Sequence, residues 1–310
     1  MKIAVLYGGT SGEREVSLST GKGIIEALEK NGHEVTGIDF HPERLDEILK
    51  LEVDLVFIGL HGRFGEDGRI QGLLDMIGLP YVGSGVLASA LAMDKSRAKQ
   101  IFKQAGIPIA QSNAYAVDQY ETLNEMEVDI KENFTLPFVI KPNQEGSTLG
   151  LTIVREWSQV ADALKNAADS DDVILVEDYI SGKEVTVPVI GLKGKEQALP
   201  IIEIIPKGDH YDFASKYEPG GSEHIVPARV SDRLTEEIQQ FAVHAHQALG
   251  CDVYSRVDFI LTEEDVPVIL EVNTLPGMTP TSLFPDSASK IGWSYDEMIE
   301  RFVELTMTRK

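Results

Sequence analysis

The sequence predicts an N-terminal α/β domain with an open parallel sheet, followed by a larger α+β region. Three observations lead to this prediction. Residues 1–93 alternate short apolar runs with helical patterns, which is typical of βαβ units. From Met93 onward, strand-like runs follow one another with few helices between them. A length of 310 residues also suits two or three domains better than one.

The N-terminal elements follow from hydrophobic periodicity. Residues 3–7 form a short apolar strand that ends at a pair of glycines, and residues 17–32 have helical spacing with a glycine at the end. Residues 33–40 predict a second strand and residues 53–60 a third, which is apolar throughout, as a parallel strand covered on both faces should be. A short helix is expected over 69–78.

Two loops of this domain are expected to line a site. Ligands of open parallel sheets bind beyond the carboxyl ends of the strands. The loop GGTSGERE follows the first strand and the loop HGRFGEDG, which contains His61, follows the third.

The second region has an α+β order of elements. We predict helices over 94–106, 158–169 and 234–250, and strands over 138–142, 152–154, 173–180, 184–191, 198–206, 257–261 and 266–273. A polar, glycine-rich run over 207–224 separates two of these strands. Loops of this length inside compact domains are usually lids or disordered segments.

Composition excludes several classes of partner. The chain has 28 Lys and Arg against 50 Asp and Glu, a net charge of −22, whereas nucleic acids and anionic membrane surfaces require basic patches. No apolar run approaches the ~18 residues of a membrane span. Cys251 is the only cysteine, so an intrachain disulfide is impossible. We therefore expect a cytoplasmic protein without a nucleic-acid or membrane partner.

The hairpin over 256–273 gives the sharpest prediction about chemistry. With its turn centred between Glu264 and Asp265, Asp258 faces Glu271 and Arg256 faces Asn273. Alternate residues of a strand share a face, so these four side chains point the same way. The opposite face is expected to pack inward through Val257, Phe259, Leu270 and Val272.

Two opposed carboxylates with Cβ atoms about 5 Å apart repel each other. A divalent cation between Asp258 and Glu271 would remove the conflict, and oxygen ligands of Asp, Glu and Asn favour Mg²⁺. The alternative interpretation is a solvated acidic face of the hairpin. A register slip of one residue would remove the pairing on which the metal site depends.

Further candidates are weaker when taken alone. Residues 138–151 place Lys141 before a loop with glycines and hydroxyls, a pattern that suits phosphate binding, although a plain hairpin turn explains it equally well. Glu177, Asp178 and Glu184 would be surface acids, and Lys95 lies on a helix, where lysines are usually solvated.

Seven segments taken together resemble the ATP-grasp superfamily, and more closely the D-alanine–D-alanine ligases. They match in order, with suitable spacing, along essentially the whole chain. The segments are GGTSGEREVS (8–17), LHGRFGEDGRIQG (60–72), MDKSRAK (93–99), IKPNQEGSTLG (140–150), ASKYEPG (214–220), SRVDF (255–259) and ILEVNTLPGMTPTSLFP (269–285).

The resemblance implies an N-terminal domain over 1–93, a central ATP-grasp lobe over 94–182 and a C-terminal ATP-grasp lobe over 183–310, whose residues 207–224 form a lid. ATP would lie between the two lobes. The implied ATP contacts are Lys95 and Lys141 on phosphates, the loop with Gly146 and Ser147 over them, Glu177, Tyr179 and Ile180 at adenine, Glu184 at ribose, and Lys216. Asp258, Glu271 and Asn273 would bind two Mg²⁺, or Mn²⁺ in their place.

The resemblance also implies two D-alanine sites. Glu13 and His61 would hold the first D-alanine, and Ser282 and Leu283 the second. Arg256 and the Gly277 N–H would stabilise the oxyanion, while Tyr217 in the lid would hydrogen-bond towards Ser147 and Glu13. Relatives that form depsipeptides differ at the Lys216–Tyr217 position, so its retention favours the dipeptide.

The implied activity is ATP-dependent ligation of two D-alanine molecules through an acyl phosphate, for peptidoglycan precursors, by a homodimer. One alternative is an ATP-grasp carboxylate–amine ligase with another acceptor. The others are a non-catalytic nucleotide-binding protein of the same fold, and a dinucleotide-binding module built on GGTSGE, which lacks the glycine spacing.

Overall fold

The computed structural model describes residues 1–146, 149–206 and 221–309. The N-terminal sheet is wholly parallel and has the strand order β2-β1-β3-β4, which confirms the predicted sheet. Its strands are β1 (Lys2–Gly8), β2 (Glu34–Phe40), β3 (Leu55–Ile58) and β4 (Tyr81–Val82). The accompanying helices are α1 (Arg14–Lys30), α2 (Leu45–Leu49), α3 (Arg69–Ile77) and α4 (Val86–Met93).

The central sheet is antiparallel, with the order β5-β8-β6-β7. Its strands are β5 (Ser112–Ala116), β6 (Phe138–Pro142), β7 (Thr152–Val154) and β8 (Val173–Asp178). Helices α6 (Leu123–Asn133) and α7 (Val160–Ala168) accompany this sheet, whereas α5 (Lys95–Gln104), which precedes it in the chain, packs into the core of the C-terminal sheet.

The C-terminal sheet is also antiparallel, with the order β12-β11-β9-β13-β14 and β10 paired to β9. Its strands are β9 (Lys183–Gly191), β10 (Gln197–Ala198), β11 (Ile202–Pro206), β12 (Ser222–Ile225), β13 (Val253–Leu261) and β14 (Pro267–Asn273). Among the described residues of this lobe, the accompanying helices are α8 (Asp232–Leu249), α9 (Leu283–Lys290) and α10 (Tyr295–Thr308).

Three predicted boundaries in this lobe are wrong. The strand expected over 257–261 begins four residues earlier, at Val253. The strand expected over 198–206 is two strands, because Pro200 between β10 and β11 has no N–H to donate to a ladder. The loop expected over 207–224 extends too far, because β12 pairs with β11 from Ser222 onward. Residues 207–220, which include Lys216 and Tyr217, lie outside the described residues.

The hairpin register is confirmed at the site and shifts beyond it. Arg256 pairs with Asn273 and Asp258 with Glu271, but a bulge follows, so that Phe259 pairs with Ile269. The expectation that Leu270 packs inward is therefore wrong. Ile269 is fully buried in its place, while Leu270 is half-buried and lines a cavity.

The central lobe has a separate hydrophobic core, whereas the N-terminal and C-terminal parts share one. The central lobe has its own core, formed by residues between Tyr115 and Val176. The N-terminal sheet instead shares a core with the C-terminal lobe, in which Ile3 of β1 belongs to the same buried cluster as Tyr254 and Phe302. A third core joins α5 to the C-terminal sheet and includes the buried Cys251.

None of the helices in the described part of the chain combines the length and the apolar character that crossing a bilayer requires.

Candidate active site

Two adjoining cavities lie where the N-terminal, central and C-terminal parts meet. The larger has a volume of about 620 Å³ and the smaller about 170 Å³. Lys95, Gly146 and Glu271 line both. The larger cavity also has walls from the N-terminal and C-terminal parts, and the smaller has walls from the central and C-terminal sheets.

Every predicted site residue that the structure describes lines one of these cavities. Around the larger lie Glu13, His61, Lys95, Gly146, Arg256, Glu271, Asn273, Gly277, Ser282 and Leu283. Around the smaller lie Lys95, Lys141, Gly146, Glu177, Tyr179, Ile180, Glu184, Asp258 and Glu271. Ser147, Lys216 and Tyr217 lie outside the described residues.

Glu13 and Gly146 bring the N-terminal domain and the central lobe into contact. Glu13 directly precedes helix α1 and is buried. A β-carbon added to Gly146 would lie 2.8 Å from Oε2 of Glu13, so a side chain at this position would require a shift. The glycine therefore permits the close approach of the loop after β6 to an acid of the larger cavity.

His61 is held by partners on both ring nitrogens. Its Nδ1 lies 3.1 Å from the Leu275 carbonyl oxygen and its Nε2 lies 2.9 Å from Oγ1 of Thr20. Because a carbonyl only accepts, the hydrogen is on Nδ1 in this arrangement. Glu66, whose Oε1 is 3.3 Å from Nδ1, is a site residue that the sequence analysis missed. Burial raises the pKa of Glu66, against the opposing effect of its hydrogen bond with His61.

Each carboxylate of the hairpin pair has a basic partner. Arg256 donates to both oxygens of Asp258, at 2.9 and 2.7 Å, and the Thr186 hydroxyl donates to Oδ1 at 2.5 Å. Lys95 Nζ lies 3.3 Å from Oε2 of Glu271 and donates to the Glu145 carbonyl at 2.7 Å. Asp258 is buried, so the alternative of a solvated acidic face is wrong.

The donor set of this hairpin fits a hard divalent cation. Asp258 and Glu271 supply carboxylate oxygens, and Asn273 supplies an amide oxygen that accepts from the Leu275 N–H at 3.0 Å. In the described ranges, no group of three His, Cys, Asp or Glu side chains could hold a metal ion. Mg²⁺ nevertheless fits two carboxylates and an amide, because it keeps waters and takes substrate phosphates as its other ligands.

A buried carboxylate between two lysines lies at the back of the smaller cavity. Glu177 is 4% exposed and pairs with Lys141 through Oε1. Its Oε2 lies 2.8 Å from Nζ of Lys99. Burial alone would raise the pKa of Glu177, but the two lysine charges lower it to about 2.

Further walls of the smaller cavity are apolar and suit a flat heterocycle. They are contributed by Val139, Leu151, Ile153, Ile260 and Leu270. Tyr179 and Ile180 follow β8 at the cavity rim.

The far side of the larger cavity is formed by the start of helix α9. Ser282 precedes this helix, and its Oγ accepts from the Thr279 N–H at 3.1 Å. A β-carbon on Gly277 would lie 3.1 Å from the same Oγ. The first N–H groups of a helix are free of intrahelical partners, so this end is suited to a carboxylate.

Comparisons with known proteins identify the family. The family model described as "D-ala D-ala ligase C-terminus" matches residues 101–304, and the one described as "D-ala D-ala ligase N-terminus" matches residues 39–84. The chain belongs to the D-alanine–D-alanine ligase family. The predicted family and ATP-grasp fold class are thus confirmed.

Full-length relatives within the D-alanine–D-alanine ligase family are similar to this chain. It is 58% identical to the D-alanine–D-alanine ligase of Halalkalibacterium halodurans, with 100% of both chains covered. It is 47% identical to that of Geotalea uraniireducens, over 97% of this chain and 94% of the relative.

Solved structures of the D-alanine–D-alanine ligase family and of a related ligase share the fold. The Bacillus anthracis D-alanine–D-alanine ligase complexed with ATP has a TM-score of 0.83 at 34% identity and covers 99% of this chain and 97% of its own. The VanG D-Ala:D-Ser ligase from Enterococcus faecalis has a TM-score of 0.85 at 31% identity, over 98% and 99%.

Lys99 is the second site residue that the sequence analysis missed in this member of the D-alanine–D-alanine ligase family. The signal was present, because Lys95 and Lys99 are four residues apart on one helix and so share a face. The partner of Lys99, Glu177, lies 78 residues further along the chain, and no local pattern links the two.

Proposed function

We propose that this chain is an ATP-dependent, ADP-forming ligase that joins two D-alanine molecules into D-alanyl-D-alanine, a peptidoglycan precursor. The observation that supports this most directly is the 58% identity to a D-alanine–D-alanine ligase over the whole of both chains. The lining of the two cavities by all the described candidate residues agrees with it.

In the first step, a carboxylate oxygen of one D-alanine attacks the γ-phosphorus of ATP, and ADP leaves. An acyl phosphate results. Such a transfer depends mainly on positioning and on neutralising negative charge. We assign Lys95 and Lys141 to the phosphates, and Glu13 and His61 to the first D-alanine.

The metal ions belong to the same proposal. Asp258, Glu271 and Asn273 would hold two Mg²⁺, for which Mn²⁺ could substitute, and the ions would neutralise phosphate oxygens when bound. The all-oxygen donor set of the hairpin supports this assignment.

In the second step, the neutral amine of the second D-alanine attacks the acyl carbon, and phosphate leaves the tetrahedral intermediate. We assign Arg256 and the Gly277 N–H to the oxyanion, and Ser282 and Leu283 to the second carboxylate. Water must be kept from the acyl phosphate. We assign this exclusion to the predicted lid, with Lys216 and Tyr217, which would close on Ser147.

Glu177, Tyr179, Ile180 and Glu184 complete the proposed site at the nucleoside end. The apolar walls of the smaller cavity support an adenine there, and Glu184 on β9 would bind the ribose. Gly146 would let its loop approach the phosphates, as it does Glu13.

The decisive experiment measures ADP release with D-alanine, L-alanine, D-lactate and D-serine as substrates, each with and without Mg²⁺. Turnover that requires both D-alanine and Mg²⁺ is expected. An inactive enzyme with D-alanine would contradict the proposal. The D-serine arm is included because the VanG structural neighbour is a D-Ala:D-Ser ligase. The second candidate function is ligation of D-alanine to D-serine. Faster turnover with a mixture of D-alanine and D-serine than with D-alanine alone would favour it.

Arg256→Ala is expected to lower kcat for ligation by about 10²–10³-fold, because an oxyanion donor is lost. Arg256→Lys should recover only part of this, since a lysine cannot make the paired contact. Arg233→Ala, which removes an exposed arginine on α8, serves as the matched control and should leave kcat unchanged. A kcat of a tenth or more of the wild-type value in Arg256→Ala would exclude the assigned role.

We also propose that the chain has three domains, with boundaries at 93/94 and 182/183. We further propose that it forms a homodimer through the N-terminal domain. Exposed apolar side chains on α3 and α4 support the dimer surface: Met76 is 80% and Leu87 70% exposed. Sedimentation velocity of the wild type and of Leu87→Glu tests the dimer.

A further inference from the structure

We propose that Lys99 is a positioning residue of the nucleotide site, which holds Glu177 in place from behind so that Lys141 can turn to the nucleotide. This inference rests on the proposed function in one respect, that the smaller cavity binds ATP. It adds a residue to which neither the family resemblance nor the motifs assign a task.

The position of Lys99 sets it apart from the other lysines of the site. It is 2% exposed and is among the largest fully buried side chains in the described part of the chain. Lys141 and Glu177 line the smaller cavity, whereas Lys99 lines neither cavity. Lys99 therefore acts on the cavity only through the side chain that it touches.

That side chain is Glu177. The Nζ of Lys99 lies 2.8 Å from Oε2 of Glu177, while Lys141 occupies Oε1. Within the described residues, Lys99 Nζ has no hydrogen-bond partner, so the ion pair is the contact that compensates its burial. A buried ammonium without such a counter-charge would cost several kcal/mol.

One helix delivers two lysines with different destinations. Lys95, at the start of α5, reaches both cavities. Lys99, one turn later, reaches the back of Glu177. The rest of α5 packs through Phe102 into the core of the C-terminal lobe, so Lys99 fixes a carboxylate of the central lobe to a rigid part of the other lobe.

Two lysines on one carboxylate make sense if one of them is needed elsewhere. When Lys141 turns to a nucleotide, Glu177 would be left buried without a counter-charge if no other cation were present. Lys99 provides the charge that stays. With Lys99 in place, Glu177 remains ionised and keeps one orientation while its other partner changes.

This arrangement has a consequence for the base that is bound. An ionised carboxylate only accepts hydrogen bonds, so Glu177, facing position 6 of a bound purine, favours an amino group at that position and disfavours a carbonyl oxygen. The amino group of adenine meets this requirement, whereas the carbonyl oxygen of guanine does not. Lys99 is therefore expected to support the preference for ATP over GTP without touching either.

The test uses the full chain with Lys99→Met, which keeps the length and apolar stem of the side chain but removes the charge. ATP and GTP binding are measured by calorimetry without D-alanine, and kcat and KM with it. We expect about tenfold weaker ATP binding and a tenfold smaller ATP/GTP preference, which corresponds to the loss of one discriminating interaction. The kcat should stay within about threefold, because the reacting atoms are untouched.

A pH series separates positioning from mere structural support. Without Lys99, burial is expected to raise the pKa of Glu177, so ATP binding by Lys99→Met should weaken further between pH 8 and pH 6. Wild-type binding should be less sensitive over the same range, because both lysines hold the pKa of Glu177 low. A structural defect alone would not produce this difference.

The controls are matched within the same helix and the same ion pair. Lys103→Met removes an exposed lysine one turn after Lys99 and should leave every readout unchanged. In a Glu177→Gln background, adding Lys99→Met should change ATP binding by less than about twofold, because the two residues act as one unit.

Several outcomes would overturn the inference. One is a Lys99→Met protein with a lowered Tm but unchanged ATP affinity and base preference. Lys99→Gln, which keeps a donor in the buried position, provides a second variant. If neither variant folds while Lys103→Met does, the role of Lys99 is structural and the inference is wrong. Calorimetry keeps it distinct from the proposed function: wild-type protein that binds ATP but does not ligate D-alanine would contradict only the latter.

Discussion

The central lobe and the remainder of the molecule are built on different plans. The central lobe has a core of its own, drawn from residues between Tyr115 and Val176. The N-terminal sheet and the C-terminal lobe share one core, in which residues near the two ends of the chain, such as Ile3 and Phe302, lie together. The site lies between two units: the central lobe, which has its own core, and the N-terminal domain together with the C-terminal lobe, which share a core.

Polar contacts at the start of α5 help to join these two units. The side chain of Asn143 accepts from the Ser96 N–H and donates to Asp94, both at 2.8 Å. Lys99 adds the ion pair with Glu177. Because the contacts of this junction are polar and the central core is separate from the others, we expect the central lobe to move as a body while each core stays intact.

The largest expected effect comes from the shared core. Phe302→Ala should lower the free energy of unfolding by about 3–5 kcal/mol, because the ring is fully buried against Tyr254 and Phe284. Amide hydrogen exchange should then accelerate in the N-terminal and C-terminal sheets together. Acceleration confined to the C-terminal lobe would break the comparison.

The matched variant is Phe138→Ala in the central core, where the ring is also fully buried. Its cost should be similar, but the faster exchange should be confined to the central lobe. The two tryptophans offer a second readout. Trp157 packs against Phe138, whereas Trp293 packs against the shared core. Single-tryptophan versions should show the two transitions moving separately.

Acid should weaken the junction next. The folded-state pKa of Glu177 is lowered to about 2 from 4.5, so its contribution is fully present above pH 4.5 and is lost as the pH falls towards 2. The amount is on the order of 3 kcal/mol. Urea unfolding followed through Trp157 from pH 6 to pH 3 measures the part of it that is lost above pH 3. Glu177→Gln should lack this part of the pH dependence; an identical profile for both proteins would exclude Glu177 as its source.

The smallest effect is expected from Asn143→Ala, which removes two hydrogen bonds of the junction and should cost about 1–3 kcal/mol. Neither core is touched, so exchange should rise at the Ser96 amide, which loses its side-chain acceptor, and little elsewhere. Asn133→Ala, at an exposed position of the same lobe, is the control and should be neutral. If Asn143→Ala unfolds either core, the hydrogen bonds of Asn143 also stabilise that core and do not only join the two units.

Much of this architecture could be predicted, since its signals are local in the sequence. Strands β6 and β7 begin and end where hydrophobic runs predicted them. The pairing of Asp258 with Glu271 followed from the position of one turn. The bulge beyond this pair, which turns Leu270 into the cavity, could not be predicted from the sequence. Ile269 and Leu270 are both apolar, so the hydrophobic pattern does not show which of them faces the core.

What could not be predicted depends on contacts between distant segments. The sharing of one core by β1 and α10 joins residues about 300 positions apart. No helix was predicted over Tyr295–Thr308, whose apolar face packs against α9 and against α1 and β13, both distant in the sequence. In the same way, Lys99 is an ordinary helical lysine until Glu177 is placed beside it.

Because Cys251 is buried, this protein is well suited to site-specific labelling for distance measurements. Burial raises the pKa of its thiol to about 12, so at neutral pH the only native cysteine should resist maleimide and nitroxide reagents. One cysteine introduced on the exterior of each unit would then take a label without any background deletion. The separation of the two labels would report the lobe movement in a chain that keeps every native side chain of its interior.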